Sequence, residues 1–291
     1  MTSNLVSFRD EFRLKHFKFS SCSSNRFIRL QWSSNRRIHL SFRVFLLLYC
    51  LSWLIADFVT NIDPYYYAYL THWAEANMCL YLVAALLTSI FTKPFRVKQI
   101  SAQIATSSAN EPEEEDTLRW YHMITWVLLN IFITSEMIVC ILYWVGRGQD
   151  LIEPSKSLLS VNIHVHVIAA FLALIELFAN DIPIRILHFY WAMSFGLVYM
   201  FFTLILHWSG TISNVYGVLN WQDNPNIAIA MSLGMILVGV PLVHFIVGFG
   251  FYRLRTSIWK KFGQEQFIEQ NCQSVAENDS SHVQFLSMKA L

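Results

Sequence analysis

Charge is scarce in this sequence. Only 14% of its 291 residues are Asp, Glu, Lys or Arg, where a soluble domain carries roughly a quarter. The shortage is uneven: long stretches hold almost no charge, and the charges gather between them and at the two ends. That pattern excludes an ordinary water-soluble domain and fits a chain whose solvent is mostly lipid. Cysteine is also sparse and dispersed. Cys22, Cys50, Cys79, Cys140 and Cys272 include no C-x-x-C pair, so a disulfide framework is not expected. Cys50, Cys79 and Cys140 read as small core residues. Cys22 lies in a basic arm and reads as a free thiol or an acylation site. No apolar stretch falls in the first forty residues, so the first apolar helix is expected to act as an uncleaved signal. No internal repeat is visible. A net charge of +1 argues against a nucleic-acid partner, and nothing in the spacing warrants a metal or cofactor.

What is present is six apolar runs, near residues 42–59, 67–91, 120–145, 157–180, 186–208 and 227–252. Each can cross roughly 30 Å of hydrocarbon at about 1.5 Å per residue. They are continuous in Leu, Ile, Phe and Ala, with none of the alternation of barrel strands, so helices are meant. The expected fold class is all-α, a polytopic bundle of six transmembrane helices. Its parts are a basic amino-terminal arm (1–41), the bundle (42–252) and a polar tail (253–291).

Positive charge sets an expected orientation. Nine Lys/Arg lie up to Arg43, four between spans two and three, Arg185 after span four, and five in the tail. The opposite side holds two, Arg147 and Lys156. Both termini are therefore expected in the cytoplasm, of a chain resident in the plasma membrane or the endoplasmic reticulum. The sequon at Asn278 should then stay unmodified. Residues 7–19 interleave Phe with Arg and Lys and read as an arm on anionic lipid or as a solvated tail. The acidic run from Glu111 reads as a solvated linker, and the tail beyond Gly263 as disordered.

Ionisable groups inside a span cost roughly 2.5–3.5 kcal/mol on insertion scales, so each is a functional candidate. With spans alternating in direction, Asp57, Thr71, His72, Glu75, Glu136, Asn162, His164, His166 and His207 all fall in the non-cytoplasmic half. His122, His188 and His244 fall in the other half, and Glu176 lies deep on span four. The nine either bond neighbouring helices or line a polar cavity. Thr71 and Glu75 are four apart, as are Asn162 and His166, so each pair shares a helix face. Ala169, Ala170 and Ala173 allow another helix to approach span four closely. A hydroxyl and an imidazole at one depth meet the minimal need of a nucleophilic hydrolase.

Several segments, FRDEFRLKHFKF, NRFIRLQW, YLTHW, NIHVHVIAAFLALIEL, IRILHFYWAMSFGLVYMFF and NVYGVLNW, make the chain resemble the rolling stone proteins of animals. More distantly it resembles the androgen-induced-protein family of six-span hydrolases. The likeness runs from about Phe8 to Arg255. The distant family implies hydrolysis of fatty acid esters of hydroxy fatty acids, with Thr71 as nucleophile and His166 as base. It places the threonine in Tyr69-Leu70-Thr71, and the histidine four residues after Asn162 and ten before Glu176. His72 and His164 depart from that pattern. Asn162 and His72 are candidate oxyanion donors; Glu75 and Glu136 are candidates to orient His166. The implied partner is a membrane lipid or lipid ester within the bilayer. The rolling stone likeness implies instead a non-enzymatic role in cell–cell (myoblast) fusion or adhesion. A third reading is a haem electron carrier, pairing His166 with His207 and His188 with His244.

Overall fold

A backbone in lipid has no water to bond, so each apolar run closes its own hydrogen bonds as a helix. The computed structural model describes residues 8–13, 16–19, 22–60, 64–94, 116–147, 163–212 and 215–261. Five of its helices are long and apolar enough to cross a membrane: α1 (Arg36–Thr60), α2 (Leu70–Phe91), α3 (Trp120–Val145), α5 (Ile186–Trp208) and α6 (Pro225–Lys261). A shorter apolar helix, α4 (His164–Ala179), stands between α3 and α5. Among the described residues there is no β-strand, only isolated bridges at Leu30. The described residues up to Tyr252 form one compact unit, and residues 253–261 belong to another.

The centre of the bundle is α3, which contacts α2, α4, α5 and α6. Of its apolar stretch 67% is buried, against 17% for α5 and α6. Trp126, Leu129, Phe132 and Ile133 of α3 pack with Met78, Tyr81 and Leu82 of α2 and with Ala169 and Ala173 of α4. The outward faces of α1, α5 and α6 expose Phe45, Leu48, Phe201, Ile205, Val238 and Leu242. Apolar surface on every outer helix is what a lipid-facing bundle requires.

Two interruptions follow from local sequence. Pro225 opens α6 at a position whose N–H would be unpaired in any case. Pro241 can neither donate nor clear the carbonyl one turn back, and the π turn just before it, Met235–Gly239, shifts those carbonyls. Another π turn, His164–Ile168, starts α4. It breaks the 3.6-residue register.

One end of the bundle is bound by polar contacts. Arg43 of α1 reaches Glu176 of α4 at 2.5 Å; Tyr81 of α2 donates to the same carboxylate, and so does Asn180 at 3.1 Å. All four residues are buried. Arg36 donates to the carbonyls of Ser89 and Ile90 at 2.7 and 3.1 Å, and His39 meets Ser89 at 2.8 Å. These anchors let α1 begin at Arg36, earlier than the apolar run itself.

The arm departs from both of its expected states. Its described part folds onto the bundle, with Glu11 bound to Arg185 at 2.8 Å. Phe17 stacks on Tyr190 at 4.4 Å, and Phe19 lies against Trp126 and Trp191. Arg26 and Arg29 clasp Asp181 at 3.1 and 2.6 Å. Phe17 and Phe19 find aromatic partners in protein, and Arg26 and Arg29 share a carboxylate there. Cys22 is buried, and burial, opposed by nearby Arg26, raises its thiol to about 11. Such a thiol is shielded and protonated, which leaves the acylation reading without an accessible nucleophile. Asp116, last of the acidic run, accepts from the Ser24 N–H at 3.0 Å. Burial alone would raise its carboxyl, but hydrogen bonds from Ser23 and Ser24 hold it below its ordinary range. The rest of that run, the tail beyond residue 261 and Asn162 lie outside the described residues.

Candidate functional site

At the opposite end from Arg43, the helices enclose a cavity of about 1150 Å³. Its wall is mainly apolar, from Ile138, Val139 and Leu142 of α3, Phe195 and Met200 of α5, and Met235 and Ile236 of α6. Polar groups enter from α1 (Asp57, Thr60), α2 (Thr71, His72), α4 (His166) and the segment 215–219 (Tyr216). Gly196 of α5 sits where a Cβ would come within 3.1 Å of Ile236, so its lack of a side chain lets α5 and α6 close this wall.

Thr71 and His166 both line the cavity. Thr71 is half-buried in the first turn of α2. His166 lies flat against Tyr143 of α3, ring centroids 3.7 Å apart and planes 13° apart. Thr71 hydrogen-bonds with the hydroxyl of Tyr216. The phenol of Tyr216 also accepts the Leu70 N–H at 2.9 Å, which satisfies a helix-start donor that α2 leaves open. Burial pushes this phenol above its ordinary range, although the Leu70 N–H, Tyr199 and Thr71 pull the other way. It therefore remains a hydrogen-bond donor at neutral pH. Tyr216 is the functional candidate that sequence reasoning missed: 146 residues separate it from Leu70. The segment NVYGVLNW carried only its aromatic character as a signal.

The two histidines of α4 diverge, as residues two apart do on a helix turning about 100° per residue. His164 is buried and stacks on Trp53 of α1 at 4.4 Å, with Tyr49 near its Nδ1 at 3.4 Å. His166 instead faces α3 and the cavity. The expected shared face of Asn162 and His166 involves a residue, Asn162, outside the described ones.

Of the supporting candidates, His72 and Glu75 lie together with Asp57. His72 points its Nδ1 at Asp57 Oδ2, 3.0 Å away, and its ring stacks on Tyr66 at 3.7 Å. Tyr66 donates to the same Asp57 oxygen at 2.7 Å. Burial, and then this bond, push the Tyr66 phenol above its usual range. Glu75 groups with Asp57 and His72. Glu136 is buried within α3, and its Oε1 has no hydrogen-bond partner. His207 lines a second cavity of about 300 Å³ with Trp208 and Trp221. His244 has both ring nitrogens engaged, by Thr134 and by the Arg185 carbonyl, each at 3.0 Å. One of the four haem candidates, His244, is thus held by protein groups instead.

With this geometry in view, comparison with known proteins is informative. A family model described as "Protein rolling stone" matches residues 2–266. The chain belongs to the rolling stone family. It is 25% identical to the Drosophila melanogaster "Protein rolling stone" over 264 residues, 88% of this chain and 92% of that protein. No solved structure matches. The match spans the whole described bundle, so the cavity belongs to the part of the chain that this rolling stone relative shares.

Proposed function

We propose that the protein is an intramembrane hydrolase of fatty acid esters of hydroxy fatty acids. The observation that carries this reading is that Thr71 and His166, from different helices, line one large, mainly apolar cavity. An apolar wall suits two acyl chains, and few polar groups among apolar ones is how small-molecule sites fix orientation. Thr71 Oγ would bond to the ester carbonyl carbon while His166 takes the hydroxyl proton. The ester C–O bond then breaks, and the leaving hydroxy fatty acid receives that proton. Water, deprotonated by His166, would clear the acyl-threonine. Tyr216, protonated and beside Thr71, supplies the donor that a developing oxyanion needs. The test is a covalent acylating or phosphonylating probe on the detergent-solubilised protein. Mass spectrometry should map the adduct to Thr71, and an adduct elsewhere, or none, counts against the reading. The fusion or adhesion role predicts no adduct, and a fusion assay rescued in full by Thr71→Ala would favour it.

The same reading sets both termini in the cytoplasm and the cavity at the non-cytoplasmic face. Positive charge supports this, even after Arg43 and Arg185, which are neutralised inside the protein by Glu176 and Glu11, are left out of the count. The expected outcome is that Asn278 stays unglycosylated on expression in animal cells. A glycan there would invert the topology.

A further inference from the structure

Beside Thr71, three potential ligands converge that the proposed hydrolysis does not use. Donor atoms of Asp57, His72 and Glu75 all lie within 4.8 Å of one another. Asp57 and Glu75 are each only 1% exposed, and both Glu75 oxygens lack any hydrogen-bond partner. A carboxylate buried without a donor is costly unless a cation or a proton satisfies it. Here it faces a second carboxylate and an imidazole, and Glu136 lies near enough to act on it electrostatically.

We propose that Asp57, His72 and Glu75 form a site for one divalent transition-metal ion, with zinc best matched to the donors. One imidazole and two carboxylates suit zinc, whereas calcium and magnesium prefer oxygen alone. Bonds of about 2.0–2.2 Å in a tetrahedron set donor atoms roughly 3.3 Å apart. The Asp57–His72 separation is already 3.0 Å, and the Glu75 donor lies within 4.8 Å of both. Tyr66 provides the outer support that such sites use, bonding the Asp57 carboxylate and bracing the His72 ring. Asp57 and His72 also line the large cavity, so the fourth position would open to it and take water or a ligand oxygen. The site does not depend on Thr71 acting as a nucleophile.

The alternative is that Glu75 holds a proton and donates it to Asp57, with no metal. The experiment separates the two. The full-length protein, purified in detergent through a histidine-free tag and stripped with a chelator, is titrated with Zn²⁺ alone. Bound metal is counted by mass spectrometry. One zinc per chain is expected, with affinity lowered at least tenfold by His72→Ala or Glu75→Gln. Tyr66→Phe should lower it roughly 10–100-fold, as outer-shell changes do. His207→Ala, in the other cavity, should bind as wild type and controls for handling. Because Glu75→Gln could fail to fold, Co²⁺ is also bound to wild type, where tetrahedral visible absorption bands are expected. Stripped wild type that takes up no zinc and shows no cobalt bands overturns the proposal. So does a folded Glu75→Gln that binds zinc as tightly as wild type.

Discussion

Thr71→Ala and His166→Ala are each expected to abolish most ester hydrolysis by the purified protein. A general base is worth about 10²–10⁴-fold, and loss of the nucleophile should cost at least as much. The two effects should not multiply. Groups that act as a unit lose nearly everything with the first removal, so the double variant should resemble the singles. Tyr216→Phe is the more discriminating change. If its hydroxyl serves the oxyanion, kcat should fall about 10²–10³-fold with little change in KM. If it merely holds the start of α2 through the Leu70 N–H, stability should fall and kcat of the surviving protein should not. Hydrolysis is followed with a fatty acid ester of a hydroxy fatty acid in micelles. Wild-type rates in Thr71→Ala would end the enzymatic reading.

The second large effect lies at the other end of the bundle. Glu176→Gln should destabilise the folded protein by about 3–5 kcal/mol, the usual cost of leaving a buried charge uncompensated. Arg43 is 1% exposed, and a guanidinium cannot discharge itself by losing a proton. Arg43→Met should cost less, because a carboxylic acid can neutralise itself by taking one up. The combined variant Arg43→Met with Glu176→Gln should recover much of the loss. The glutamine carbonyl can still accept from Tyr81 and Asn180, and the unpaired cation is gone. Thermal unfolding in detergent, monitored for all three variants, checks the order. Equal losses for the two single changes would show that the charge asymmetry does not govern this contact.

Much of the architecture was legible because lipid imposes a simple rule. Runs such as 120–145 and 186–208 contain nothing that could satisfy a backbone except helix, and the structure has helices there. The arm was harder to read. Phe17, Phe19 and Arg26 look alike whether they meet lipid, water or protein. Their partners Tyr190, Trp126 and Asp181 lie more than a hundred residues away. Local register was also hard to read: nothing in the sequence announces the π turn at the start of α4.

Composition and charge pattern alone determined that this is an all-helical membrane protein, and spacing singled out Thr71 and His166 as candidates. Only the tertiary structure decided that these two share a cavity, that Tyr216 stands next to the threonine, and that Asp57, His72 and Glu75 converge. The reason is physical. Insertion into lipid is governed by each segment's own hydrophobicity, which is written along the chain. A site is governed by which faces of separate helices turn toward one another, and that follows from packing among residues far apart in sequence.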